Sequence, residues 1–306
     1  MRTVSIIGLG LIGGSLGLAL RRSGGWQVVG YARRPETARL ALTRGAVDRI
    51  EPTPQVAARA DVVIISTPVM ATREVLSLIS GHLRPGCIVS DVASTKVQVM
   101  KWAQELLPAQ VSFVGGHPMA GSHRAGVESA KAELFQRTLC ILTPTESTDT
   151  DSLNLISGLW QMIGASVKIM SPEEHDFLIA ASSHLPHTVA CALVQVVLDA
   201  KNDRGSAMDF AASGFADMTR IASGSSEIWK AILLDNAENI ILMLSSMEAE
   251  LAEFRAMLEA RDSDTLIEKL SHIKKIRDSF KKRLNKFQQS YPNRWFRRFF
   301  RFYSSF

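Results

Sequence analysis

RTVSIIGLGLIGGSLGLALRR, residues 2–22, decides the fold of this chain. A short β-rich run at 2–7 leads straight into Gly8-Leu9-Gly10-Leu11-Ile12-Gly13, and an amphipathic helical pattern follows through Leu16–Arg22. Strand, GxGxxG turn and helix in immediate succession form the phosphate-binding corner of a dinucleotide fold. The first glycine permits the tight turn, the second lets a pyrophosphate approach the backbone, and the third lets the helix pack on the strand. The helix N-terminus adds free N–H groups and a partial positive charge. A glycine turn without a ligand is the competing reading, and the flanking strand and helix weigh against it. A secretory leader is also disfavoured, because the glycines and the immediate βα pattern do not suit one.

Outward from this corner, β and α signals alternate. WQVVGYA (26–32) reads as a strand, roughly 36–44 as a helix, and the continuous apolar run DVVIIS (61–66) as a strand buried on both faces. A helix around 71–83 precedes CIVSDV (87–92), and another precedes VSFVGG (111–116); CILTP (140–144) and SVKIM (166–170) look like the last strands. The pattern predicts a Rossmann-type, doubly wound parallel sheet over residues 1–170. After Ser171-Pro172 strand signal almost vanishes, and helical periods cover 174–200, 206–221, 226–259 and 262–289. An all-helical domain over 171–285 and a basic-aromatic tail over 286–306 complete the expected organisation.

Composition sets bounds on this reading. At 306 residues, 46% hydrophobic and 21% charged, the chain suits about two globular domains and is not disordered throughout. No stretch of about 18 apolar residues lacks a charge, so no spanning helix is expected. Cys87, Cys140 and Cys191 are odd in number and far apart, which points to buried thiols in a reducing, cytoplasmic compartment. The net charge of +5 belongs to the C-terminus: residues 269–306 carry twelve Lys/Arg against Asp278 alone, leaving 23 bases and 29 acids elsewhere. A basic body that binds nucleic acid is not expected.

Several residues carry chemistry. An NAD site usually places an acid about 20 residues beyond the glycine loop, whereas here Arg33 and Arg34 follow the second strand, two guanidiniums suited to a 2′-phosphate. NADP is therefore the preferred cofactor and NAD the alternative. In GGHPMAGSHRAG (115–126), His117 falls at a strand's C-terminal end, where open α/β sheets bind ligands, and suits a general base. His184 and His187 of SSHLPH are one helical turn apart, but Pro186 and the absence of other ligand-spaced residues argue against a metal site. Arg220, among small and apolar residues in SGFADMTRIA, needs an anionic partner, either a structural acid or a substrate carboxylate.

GLGLIGGS, DVASTK (91–96), GGHPMAGS, SHLPH and FADMTRIA, in this order and spacing over roughly residues 1–285, resemble the prephenate/arogenate dehydrogenase family of tyrosine biosynthesis. The resemblance implies a Rossmann domain, an all-helical domain that forms a homodimer, and oxidative decarboxylation of prephenate with hydride transfer to NAD(P)+. It implies that His117 is the catalytic histidine, that Ser94 helps to orient it, that His187 lies near the substrate side chain, and that Arg220 binds a substrate carboxylate. Ser122 and His184 are counted with the substrate residues, and Thr67 and Pro68 with the cofactor loop of Gly8 to Gly13.

Two departures bear on the substrate. His123 stands where prephenate users often carry a gating Glu, and Arg33–Arg34 resemble NADP users, some of which prefer arogenate; the retained His187 resembles prephenate users. Prephenate is the expected substrate, with arogenate or dual specificity the alternative. A non-catalytic NADP sensor is a rival of another class. A β-hydroxy acid dehydrogenase would need a catalytic lysine, for which Lys201 and Lys230 are available without a matching motif. The tail NRWFRRFFRFYSSF suits packing on protein first and weak contact with an anionic membrane surface second.

Overall fold

The computed structural model describes residues 2–121 and 125–289. One sheet contains β1 (Arg2–Ile7), β2 (Trp26–Tyr31), β3 (Arg49–Ile50), β4 (Val62–Ile65), β5 (Ile88–Asp91), β6 (Ser112–Pro118), β7 (Leu139–Thr143) and β8 (Ser166–Ile169). Its order is β3-β2-β1-β4-β5-β6-β7-β8. Helices α1 (Leu11–Ser23), α2 (Pro35–Thr43), α3 (Pro54–Ala57), α4 (Val69–Ile79), α5 (Val97–Leu106) and α6 (Thr150–Met162) fill the connections. Every residue of β4 and β5 is buried, as a strand covered on both faces requires. The chain runs from β1 outward to β3, then returns to β4 on the other side of β1, so a topological switch lies between β1 and β4.

The sheet is parallel from β3 to β6, but β7 runs antiparallel to β6, with His117 opposite Ile141, and β8 is parallel to β7. The expected all-parallel sheet is corrected there. Among the described residues of 119–138, a 3₁₀ turn, Val127–Ser129, stands in place of a crossover helix. Without a crossover the chain re-enters the sheet from the edge at which it left.

The C-terminal helices are α7 (Pro172–Ile179), α8 (Leu185–Asp199), α9 (Ser213–Thr219), α10 (Ser226–Asp235), α11 (Ala237–Glu259) and α12 (Ser263–Gln289). A π turn, Ala180–His184, joins α7 to α8. It precedes Pro186, which has no N–H to give and whose ring crowds the preceding turn, so the wider turn absorbs the proline without ending the helix. The helix expected over 226–259 breaks at Asn236, whose φ of −112° and ψ of 29° are not helical. The period at 206–221 becomes α9 flanked by 3₁₀ turns, and a short hairpin at Lys201–Asn202 and Gly205–Ser206 precedes it.

Secondary structure changes character near residue 170, but the compact units divide elsewhere. The first comprises Met1–Ala192 with Ile221–Ile240, so α7, the π turn and α10 pack with the sheet. The second comprises Leu193–Arg220 and the chain from Ile241 onward. In that unit Ile241, Leu242, Leu251, Leu258 and Ile267 are all more than half exposed. The run Pro172–Asp199 is long and apolar enough by composition to cross a membrane, contrary to the expectation from charge spacing. Its N-terminal end is tied to the sheet, where His175 and Asp176 are hydrogen-bonded to strand and loop ends, whereas Val196 and Leu198 near its C-terminal end are half exposed or more.

The glycines of the loop play separable parts. Gly8 has φ +103°, and a Cβ there would lie 2.4 Å from the Ser66 carbonyl oxygen; at Gly13 it would lie 2.0 Å from the Gly8 oxygen. A Cβ on Gly10 meets nothing within 4 Å. Gly13→Ala is therefore expected to cost about 3 kcal/mol of stability, whereas Gly10→Ala changes stability by less than about 0.5 kcal/mol. Gly10→Ala should nevertheless weaken dinucleotide binding roughly tenfold or more, about 1.4 kcal/mol. Urea denaturation of both variants and calorimetric titration of Gly10→Ala check this.

Candidate active site

The ends of β1, β4, β5 and β6 lie along one edge of the sheet, since all four run parallel. At β1 the glycine loop opens α1, whose N-cap Gly10 makes no side-chain capping bond and whose first turn holds no acid. The backbone N–H groups there are suited to an anion. Thr67, after β4, packs against Gly8, and its Oγ1 is buried without a hydrogen-bond partner. Pro68 caps α4 next to it. Arg33 and Arg34 follow β2 and are exposed, with Arg34 at the N-cap of α2. An open backbone at Gly10, an uncapped helix start and an orphan hydroxyl fit a dinucleotide.

At β5 and β6 the edge is held by a buried ion pair. Lys96 and Asp91 are both fully buried and joined directly. Lys96 Nζ also donates to the Gly116 carbonyl at 2.8 Å, while the Asp91 carboxylate accepts from the N–H of Gly116 at 3.0 Å and of Ala93 at 2.8 Å. Gly115 and Gly116 make this approach possible: a Cβ on Gly116 would lie 2.7 Å from the Asp91 carbonyl oxygen, and one on Gly115 would lie 2.3 Å from Thr143 Oγ1. Both glycines thus make room for the protein's own neighbouring strands. Sequence reading passed over Lys96, although it lies within DVASTK.

His117, 8% exposed, stands where β6 ends. Its Nδ1 lies 2.8 Å from His175 Nε2, and His175 Nδ1 lies 2.7 Å from Asp176 Oδ1. Asp176 also accepts from the backbone N–H of Lys96 at 2.8 Å and of Val97 at 2.9 Å. Burial holds the His117 imidazole well below its usual pKa, and the nearby His175, Lys96 and His184 act in the same direction. The ring is neutral at physiological pH. Ser94, half-buried in the turn after β5, makes no hydrogen bond to it among the described residues, so His175 is the ring's partner.

From Asp176 the polar path continues. Asn236 Nδ2 donates to the Asp176 backbone carbonyl at 2.8 Å and to His184 Nδ1 at 3.2 Å. His184 stands edge-on to Trp229, and His187 stacks on the same indole with ring centroids 3.5 Å apart and an interplanar angle of 7°. Gly224 leaves room for that indole, since a Cβ there would lie 2.3 Å from Trp229 Nε1. Burial lowers the pKa of His187, the Ile221 backbone opposing it, and His187 Nε2 lies 3.6 Å from Cys191 Sγ. His117, His184 and His187 thus belong to one contiguous set in the first unit. Arg220 begins a 3₁₀ turn, Arg220–Ser223, and belongs to the second unit. Ser122 and His123, like the tail from residue 290, lie outside the described residues.

Among the described residues no group of three or more potential metal ligands is gathered. Lys230 is exposed and pairs with Glu227 at 2.6 Å, an engagement that does not favour the β-hydroxy acid alternative. His175, Asp176, Asn236 and Trp229 went unread in the sequence. A signal for two of them was present: His175 and Asp176 share the buried face of α7 with Ile179, and polar side chains on a core-facing stripe need partners.

Residues 16–169 match the family described as "Prephenate dehydrogenase, nucleotide-binding domain", and residues 171–272 match "Prephenate dehydrogenase, dimerization domain". The chain belongs to the prephenate dehydrogenase family. It is 38% identical to the prephenate dehydrogenase of Bacillus subtilis (strain 168) over 279 residues, 90% of this chain and 75% of that one. The crystal structure of prephenate dehydrogenase from A. aeolicus in complex with hydroxyphenyl propionate and NAD+ superposes with TM-score 0.86 and 33% identity, covering 92% of this chain and 98% of that one. Synechocystis arogenate dehydrogenase gives TM-score 0.81 and 30% identity over 91% of this chain and 99% of that one. The chain is accordingly an NAD(P)-dependent oxidoreductase of this family, which decides against the non-catalytic sensor.

Burial makes the site's imidazoles acid-sensitive. The pKa of His184 is pushed down from 6.5 to about 4, chiefly by burial, with His175 and His187 adding to it against Asp176. The unfolded chain then takes up this proton before the folded chain does. The stabilisation is complete above pH 6.5 and is lost as pH falls toward about 4, at most about 3 kcal/mol, with His117 acting in the same direction. Urea midpoints should fall steadily from pH 7 to 4.5. His184→Asn, which retains an acceptor for Asn236, should start less stable and show a shallower fall.

Proposed function

We propose that the chain converts prephenate to 4-hydroxyphenylpyruvate with NADP+ as the preferred oxidant, acting as a cytoplasmic homodimer. The observation that carries this is the neutral, buried His117 at the β6 end of the edge whose β1 end holds the dinucleotide loop. The two stand three strands apart, roughly 14 Å at the usual strand spacing. Gly8 to Gly13, with Thr67 and Pro68, would hold the pyrophosphate region, and Arg33 and Arg34 the adenosine 2′-phosphate. When bound, the nicotinamide supplies the acceptor for the hydride of the substrate's carbinol carbon.

The chain's own part is to position the substrate and manage one proton. His117 accepts the ring hydroxyl proton as the carbinol is oxidised. The ring carboxylate leaves as carbon dioxide, its electron pair closes the aromatic ring, and His117 returns the proton to the phenol oxygen. Ser94, beside the β5 end, and His187, held flat by Trp229, orient the substrate. His184 and Ser122 are counted with the substrate-binding residues, and Arg220 binds a carboxylate. Apolar side chains left exposed on α11 and α12 support dimerisation through the second unit.

His117→Asn should lower kcat for prephenate by about 10²- to 10⁴-fold at saturating substrate. Arg220→Gln should instead raise KM about 30-fold or more, the cost of an unpaired carboxylate. Steady-state assays of cofactor reduction check both.

Cofactor choice is tested separately, by crossing prephenate and arogenate with NAD+ and NADP+. The double variant Arg33→Ala/Arg34→Ala should raise KM for NADP+ roughly tenfold to 100-fold and leave NAD+ nearly unchanged. Higher kcat/KM for arogenate in the same assay would favour the alternative substrate, which the similarity to the Synechocystis enzyme also supports.

A further inference from the structure

His117 can take up a proton only at a ring nitrogen that does not already carry one, and two buried residues outside the family motifs decide which nitrogen that is. We propose that Asp176 and His175 form a positioning chain that keeps the His117 proton on Nδ1 and leaves Nε2 as the acceptor facing the substrate. This rests on the proposed role of His117 as the base.

The assignment starts from the carboxylate. Asp176 accepts two backbone N–H bonds, from Lys96 and Val97, and a third contact from His175 Nδ1 at 2.7 Å. An ionised carboxylate has no proton to donate, so His175 Nδ1 carries the hydrogen. A neutral imidazole has one N–H, which leaves His175 Nε2 as a lone pair. The atom 2.8 Å from that lone pair is His117 Nδ1, and this contact is a hydrogen bond only if His117 Nδ1 carries the proton. His117 Nε2 is then bare. With Asp176 ionised, any other distribution opposes two lone pairs or two protons, or places a second charge beside buried Lys96.

The surroundings hold the chain in this state. His175 is completely buried and Asp176 nearly so, and Asn236 ties the Asp176 backbone to His184. The fixed carboxylate also steadies His117 while it bears the extra proton, with no transfer to Asp176 required. His175 and Asp176 touch no reacting atom; they act through His117.

The full-length protein with ¹⁵N-labelled imidazoles tests this through long-range ¹H–¹⁵N correlation spectra at pH 7.5, with His117 assigned by its loss in His117→Asn. The proton is expected on Nδ1 of both His117 and His175. His175→Phe should lower kcat about 10- to 100-fold, keep KM within about threefold, and leave His117 as a mixture of tautomers. His175→Gln, whose amide oxygen can accept from His117 Nδ1, should recover most of the lost turnover. A wild-type His117 protonated on Nε2, or unchanged kcat in His175→Phe, overturns the proposal. The wild-type spectrum decides the point even where His175→Phe does not fold. Should His117→Asn itself keep its turnover, the base role falls instead; normal kcat in His175→Phe beside a crippled His117→Asn removes the positioning chain alone.

Discussion

The carboxylate of Asp176 is the constraint on which the site depends. Helix α5 begins at the sheet edge with Lys96 at its N-cap and no side-chain cap of its own. Asp176, 80 residues later in the chain, satisfies two of its orphan N–H groups and places a negative charge at the positive end of the helix. The same carboxylate orients His175, and through it His117. One acid therefore ties α7 to the sheet and sets the direction of an imidazole on β6.

A second buried charge pair completes the frame. Asp91 and Lys96 join the end of β5 to the backbone of Gly116, at a point where only glycines allow β6 to lie so close. Leaving either partner alone would strand a charge in the core at a cost of about 3–5 kcal/mol. The pair sits one residue from His117, so the backbone that carries the imidazole is held from both sides while its ring meets His175. Rigid placement of this kind suits a reaction in which orientation and one proton are what the protein contributes.

Much of this was legible in the linear sequence, for identifiable reasons. The β1–α1 corner depends on residues adjacent in the chain, and strand, glycines and helix start are local features. His117 was legible because its glycine-rich loop follows an apolar strand. His175 and Asp176 were not, because the pair in SPEEHD reads as the acidic first turn of an ordinary helix. Only packing reveals that these side chains face inward. The break at Asn236 was equally hidden, since its side chain bonds Asp176 and His184 across the fold, while its neighbours on either side keep an unbroken helical period. Gly115 and Gly116 make room for the protein's own β5 and β7, partners that lie far away in the chain.

The sequence by itself determined the dinucleotide corner, the alternation of strand and helix, the change to helices near residue 170 and the family, because each is written in short-range spacing. Tertiary structure alone decided the antiparallel β7, the assignment of α7 and α10 to the sheet's compact unit, and the path from Asp176 through His175 to His117. Those depend on groups far apart in the chain meeting within hydrogen-bond distance in a buried environment, where an unmatched donor or acceptor is costly. Spacing along a chain does not encode that matching.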